Sequence, residues 1–388
     1  MTSRTRLIVL LISTPVIAFA LVGGFLGQAM TREQTYEHLR VFEDVVSLVL
    51  SNYVEDVDVE DAMRGAMNGL ADGLDPDSAF LTPDLVAALD ADETAGPAGV
   101  GLALSRQYYL RVVAVRAASP AAAAGIQPGD FVRAIDARPT RDMSIFEGER
   151  LLRGAPGSTV SVLVIRGNAA EPHQVELTRT IDETPALATR MADADTGYVH
   201  VAAFTADAPA ALEAAVARLA TGGATDLVID LRGTTDGDLD AGLDAARIFV
   251  GEGALGHREA NGVPLETIDA APGDGAFTAP VALLVDLGTG GPAEVFAAAL
   301  QEHGRATLVG QHTLGRAARQ RLVRLPDGSG LWLSYQQYLS PEREPIHQTG
   351  LAPDVTVDRD VVEFGEPAPA GDAVLDRALE HLEARPAA

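Results

Sequence analysis

The chain has 388 residues, 47% of them hydrophobic and 22% charged, a balance that builds folded cores in two or three domains and excludes a disordered protein. Its formal net charge of −26 repels nucleic acid and anionic membrane surfaces as broad partners, so no nucleic acid is expected to bind. All 29 basic side chains are arginines and cysteine is absent, which excludes a lysine base, a cysteine nucleophile, thiolate metal sites and disulfides.

The first 30 residues, "MTSRTRLIVLLISTPVIAFALVGGFLGQAM", place Arg4 and Arg6 before an uncharged apolar run from Leu7 to Gly27. That length spans a bilayer as a helix, and the positive end inside puts the rest of the chain outside the cytoplasm. Residues 1–30 therefore read as an uncleaved signal anchor in the inner (cytoplasmic) membrane, with the bulk on the periplasmic side. The alternative is a leader cleaved near Ala18–Ala20.

Residues 31–95 form a helical segment. Leu39, Phe42, Val46, Leu50 and Tyr53 recur at three-to-four spacing, and a second helix stops at Gly73 before "DPDSAFLTP". These apolar stripes predict a core or a partner-facing surface. From 97 to 183 the pattern turns to short strands, "GVGLAL", "YLRVVAV", "FVRAID" and "TVSVLVIR", with helices in "SPAAAAGIQPGD" and "SIFEGERLLRG". Between 185 and 360 strands alternate with helices: "TGYVHVAAF", "APAALEAAVARLATGG", "TDLVIDLRG", "DAGLDAARIFV" and "PVALLVDLG". Such alternation predicts a largely parallel sheet with a site at its strand C-terminal ends. Residues 361–388 predict a tail helix. The whole reads as a multidomain α/β protein.

The order around "ASPAAAAGIQPGDFVRAIDARP" resembles the PDZ domain family. In that family a peptide C-terminus adds as a strand beside a helix, with its carboxylate held by backbone N–H groups. The resemblance assigns peptide binding to Ala98, Gly99, Val100, Gly101 and Leu102. A PDZ module used only as scaffold is the alternative.

Over nearly the whole mature length, the anchor, "LDPDS", the PDZ module, "GYVHVAAF", "DLVIDLRGTTDG", "EVFAAALQEHGRATLVGQHTLGRAARQ" and "GLAPDVTVD" follow one another as in the carboxyl-terminal processing protease family. The chain is similar to these PDZ-containing serine-lysine peptidases. The resemblance implies a serine nucleophile at a helix start, a lysine base on the next strand-turn, a glutamine supporting that lysine and a PDZ module that in some members gates the site.

Carried over by position, the chemistry is missing. The family's Ser-Ala-Ser-Ala-Ser-Glu run lies over Thr289-Gly290-Gly291-Pro292-Ala293-Glu294, which puts Gly291 at the nucleophile. The base position is Arg316, whose guanidinium stays protonated; Gln320 matches the supporting glutamine. One oxyanion donor falls on Pro292, which has no N–H. The other comes from a turn over Thr234-Thr235-Asp236-Gly237, where Asp236 brings a carboxylate in place of a glycine. The family site is therefore expected to lack an intact catalytic set.

Three function classes follow. The first is a non-hydrolytic pseudoprotease or adaptor that binds protein or peptide C-termini. The second is an active endopeptidase or hydrolase using other residues, with Thr289 and His312 as the best available pair. The third is a structural partner of an active protease paralogue. No metal or cofactor is expected, since no His-x-x-x-His or comparable spacing occurs. Two uses of the emptied frame stay open: the helix N-terminus with Arg316 facing it holds a peptide carboxylate, or Asp236 and Arg316 pair and close the pocket. Self-association through the N-terminal helices and the C-terminal segment is implied by the resemblance alone.

Overall fold

The computed structural model describes residues 38–91, 95–167, 171–182, 184–358, 362–364, 366 and 371–384. The N-terminal apolar run lies outside them. Among the described residues no helix is long and apolar enough to cross a membrane. The chain divides into two compact units, Met1–Met67 and Asn68–Ala388.

In the first unit, residues 38–52 are helical and the helix Val59–Asp72 begins. The expected stripe is present but not buried: Leu39, Phe42, Leu50 and Tyr53 all lie exposed.

In the second unit the segment 31–95, expected to be helical, also contains a strand after the helix that stops near Gly73. "DPDSAFLTP" contains a strand, Ala79–Leu81, which pairs antiparallel with Gly330–Leu339 at Ala79↔Trp332 and Leu81↔Gly330. Asp75 shapes the turn before it, accepting from the N–H groups of Asp77 and Ser78 at 2.9 and 2.7 Å and from the Ser78 hydroxyl at 2.8 Å. A short polar residue bonding its own backbone two and three positions on stops the helical pattern here.

The PDZ-like module is a sheet in the order Leu102–Gln107, Tyr109–Val115, Phe131–Ile135, Thr159–Ile165, His173–Thr178, with Arg138–Pro139 paired to the third of these. Alternation along Thr159–Ile165 sends Val160, Val162 and Val164 inward, where they join Leu104, Leu110, Val112, Val132 and Ile135 in one core. Ser119 and Ser144 cap the helices Pro120–Ala123 and Ile145–Leu152, accepting from Ala122 N and Glu147 N. Gly148 brings the second helix close to the sheet, since a Cβ there would stand 2.3 Å from Leu110 Cδ1. Arg166 grips Asp130 through Nε and Nη2, both at 2.8 Å, fixing the Pro128–Asp130 turn in the core.

The larger core is a six-stranded sheet, Leu187–Met191, Thr196–Val201, Asp226–Asp230, Val281–Val285, Ala306–Gly310, Val355–Thr356; only its first pair is antiparallel. Val281–Val285 is buried along its whole length, as a central parallel strand covered on both faces must be. Ala208–Thr221, Leu239–Ala246 and Pro292–Glu302 supply one covering layer. The tail helix Ala373–Glu383 covers the opposite face with Ala378 and Leu382, so the C-terminal segment is spent on its own sheet. Its N-cap Asp372 is also ion-paired to Arg232, which in turn holds Asp230. A second, antiparallel sheet joins Ala79–Leu81, Gly330–Leu339, Ala254–Ala260, Glu266–Asp269 and Ala318–Arg324.

Candidate functional site

The helix Pro292–Glu302 begins at the sheet's C-terminal end, as the alternation predicts. Its N-cap, Gly291, has φ 59° and ψ −120°, a conformation that glycine adopts cheaply and L-residues rarely do. A Cβ on Gly291 would come within 3.3 Å of the Thr235 carbonyl, a tight approach to backbone, and 3.7 Å of the Arg316 carbonyl. The nucleophile position, the base-position turn and the oxyanion turn therefore converge. Pro292 packs against the helix Leu239–Ala246, where a Cβ on Gly242 would stand 2.3 Å from the Pro292 carbonyl oxygen. Asp236–Gly237 runs as a two-residue strand parallel to Ala203–Phe204.

Glu294, not singled out from the sequence, holds this convergence together. It is fully buried, and its two oxygens accept from the N–H groups of Gly291 (3.0 Å), Arg316 (2.8 Å) and Gly315 (2.6 Å) and from the Thr313 hydroxyl. Burial pushes its carboxyl above the usual range, while these four donors act in the opposite direction. The sequence carried a signal for it: a glutamate at the third helical position, followed by an unbroken apolar run, "VFAAAL".

Arg316 has other partners than those expected. Its Nε donates to Asp77 Oδ1 at 2.7 Å and its Nη2 to the Leu104 carbonyl at 3.2 Å. Burial works against its charge, but Asp77 and Glu149 hold the guanidinium more firmly protonated than usual. The expected Asp236–Arg316 pair is not formed: Asp236 is 63% exposed and its Oδ2 accepts from Arg116 Nη2 at 2.8 Å. Arg116, in the PDZ module, also pairs with Asp182. Asp77 prevails because it sits in the Asp75-ordered turn with its side chain only 11% exposed, and a desolvated carboxylate binds a guanidinium more strongly than a solvated one. Gln320 Nε2 donates to Ala318 O and Ser334 Oγ, both at 3.2 Å, so its amide is engaged within the antiparallel sheet.

Thr289 and His312 are not brought into a pair. The buried Thr289 hydroxyl donates to Leu231 O at 2.9 Å and accepts from Asp286 N at 3.0 Å. His312 Nδ1 lies 3.2 Å from Thr313 O. Among the described residues, no three His, Asp or Glu side chains converge as a metal site.

In the PDZ module, Ala98 exchanges two backbone hydrogen bonds with Gly154, at 3.2 and 3.0 Å, and Ala98–Gly99 pairs with Thr180–Ile181. Val100 is buried, and its carbonyl accepts from Ala121 N at 3.1 Å. Gly101 has φ 78° and folds tightly against Ser119, whose Cβ would lie 2.2 Å from a glycine Cβ substituent. Leu102 then opens Leu102–Gln107, the terminal strand of its sheet. Arg316 occupies one acceptor on this strand, the Leu104 carbonyl.

Residues 195–357 match the family model described as Peptidase family S41, and residues 111–166 match that of a PDZ domain. A carboxyl-terminal-processing protease from Synechocystis sp. is 31% identical over 315 residues, 79% of this chain and 74% of that protein. A carboxy-terminal-processing protease from Bartonella bacilliformis is 28% identical over 367 residues, covering 89% and 83%. Among solved structures, the photosystem II D1 C-terminal processing protease superposes with a TM-score of 0.67 at 29% identity, covering 80% of this chain and 85% of that one. With its PDZ module, its parallel core and the convergence of turns around Gly291, the chain belongs to the carboxyl-terminal processing protease family, peptidase family S41.

Proposed function

We propose that this chain binds protein or peptide C-termini through its PDZ module and does not hydrolyse them. One observation carries the reading: the frame of a serine-lysine site is assembled, yet Gly291 has no side chain to attack with and Arg316 is ion-paired to Asp77. A permanently protonated guanidinium cannot take a proton from a hydroxyl, and Pro292 offers no N–H to a developing oxyanion. Thr289, committed to Leu231 and Asp286, gives the alternative hydrolase no support. We place the chain at the inner membrane through its N-terminal apolar run, facing the periplasm, where an active protease paralogue or a second copy is the natural partner of a binding subunit.

The test is direct. The purified chain is incubated with an unfolded substrate protein, and C-terminal peptides are titrated into it by fluorescence anisotropy. Saturable peptide binding with no cleavage is expected. The same assay on a variant carrying Gly291→Ser, Pro292→Ala, Arg316→Lys and Asp236→Gly asks whether those positions alone account for the lost chemistry. Turnover by the unmodified chain overturns the reading.

A further inference from the structure

The hairpin that closes the peptide-accepting edge of the PDZ module carries a cluster the function above does not use. Tyr108 sits at the tip between Leu102–Gln107 and Tyr109–Val115, 61% exposed and with φ 66°, a conformation unfavourable for a bulky side chain. It meets the Tyr109 ring edge-on at a centroid distance of 5.0 Å, and the Arg141 guanidinium lies 4.7 Å from its ring centroid. Arg133 stands over Tyr109 at 5.1 Å, and Arg111 lies 5.7 Å from Phe131 while donating to Gln107 Oε1 at 3.2 Å.

These arginines differ from many others in the chain. Arg166 lies on Asp130 and Arg232 on Asp230 and Asp372, whereas Arg111, Arg133 and Arg141 have no carboxylate partner among the described residues. Of the acidic groups, Asp72 is taken by Arg106 at 2.7 Å, and Asp142 is next in sequence to Arg141. Arg106 also donates to the Arg141 carbonyl at 3.1 Å, which ties the Arg141 loop to the edge strand. In a chain of net charge −26 this is a local cationic surface: the guanidinium groups lie over rings, Arg111 and Arg133 each spend one N–H, on Gln107 Oε1 and the Tyr109 hydroxyl respectively, and none is bonded to a carboxylate among the described residues.

The position of the cluster relates it to the ligand. A peptide whose carboxylate lies at residues 98–101 and which runs antiparallel to the six-residue strand Leu102–Gln107 reaches the Tyr108 tip about 20 Å upstream of its own C-terminus. Along the way it competes for the Leu104 carbonyl, which accepts from Arg316 Nη2 at 3.2 Å. We infer that Tyr108, Arg111 and Arg141 form an upstream subsite that selects C-terminal segments carrying acidic side chains about five to eight residues before the terminus. This rests on the reading of the module as a C-terminus binder.

The probes are ten-residue peptides that share their last four residues and differ at positions five to eight from the end, carrying Asp and Glu in one and Ser in the other. Binding to the purified full chain is followed by anisotropy. The acidic peptide is expected to bind about five- to tenfold more tightly at low salt, with the ratio shrinking as salt rises, since exposed charge pairs are individually weak and screened. Arg111→Gln with Arg141→Glu removes the ratio, whereas Arg218→Glu, on an exposed face of the core helix Ala208–Thr221, leaves it unchanged. Equal affinities for the two peptides in the unmodified chain overturn the subsite while leaving C-terminus binding intact. Binding of neither peptide overturns the underlying reading, and the subsite with it.

Discussion

At Gly291 the backbone keeps the sharp turn from strand to helix that a nucleophile would need, with φ 59° and no side chain. Two things hold the turn: glycine at its apex, which takes φ 59° without strain, and the Glu294 carboxylate that accepts from its N–H. Gly291→Ala is expected to lower stability by about 1–2 kcal/mol, measured by chemical denaturation, because the new Cβ meets a left-handed backbone and a tight approach to the Thr235 carbonyl. A loss much above this would mean that the Thr235 backbone cannot shift to relieve the 3.3 Å approach. That Gly291 carries no nucleophile, Pro292 no amide N–H and Arg316 no base is plain from the sequence, since it follows from residue type whatever the surroundings. The sequence did not reveal what Arg316 does instead. Its carboxylate partner, Asp77, lies 239 residues away in sequence, and no local pattern connects two turns so far apart.

Among the elements, the edge strand Leu102–Gln107 and the turn that holds Arg316 are joined by one guanidinium serving two acceptors. A C-terminal peptide adding to this strand competes for the Leu104 carbonyl. Arg316→Ala is expected to tighten peptide binding about three- to tenfold, the equivalent of one ordinary hydrogen bond. It should also cost about 2–4 kcal/mol of stability, because Asp77 stays mostly buried without its partner. Isothermal titration of a C-terminal peptide and denaturant melts read the two effects separately, and unchanged affinity would show that the strand is not the ligand's edge. The PDZ strands were legible because alternation along Thr159–Ile165 is regular and serines cap the helices. The second sheet was not: Ala254–Ala260, "ALGHREA", has neither period-two patterning nor β-branched residues, and its place is set by pairing with Gly330–Leu339.

At the scale of the molecule, the parallel sheet is covered on one face by three helices and on the other by the tail helix Ala373–Glu383, moored through Asp372 to Arg232. Burial acts to raise the Asp372 carboxyl, but the Arg232 guanidinium outweighs it and holds the group below its usual range. A depressed carboxyl stabilises the fold above its unfolded value, about 4, and that contribution is lost as pH falls through the folded one. Asp372→Asn is expected to reduce the acid sensitivity of this face below about pH 4, followed by hydrogen exchange of residues 373–384 against pH. An unaltered profile would assign the docking to Ala378 and Leu382 alone. The alternation of strands and helices made the layered core readable from sequence; the destination of the tail helix was not, since its apolar stripe fits a neighbouring sheet and a partner's surface equally well.

The single carboxylate of Glu294 receives amides from both sides of the central gap, those of Gly291 at the helix start and of Gly315 and Arg316 in the facing turn. These three amides share one acceptor group, so none can be freed to solvent without loosening the hold on the others. One buried carboxylate thus ties the helix start to the facing turn, so the two segments are expected to gain or lose amide protection together in hydrogen exchange.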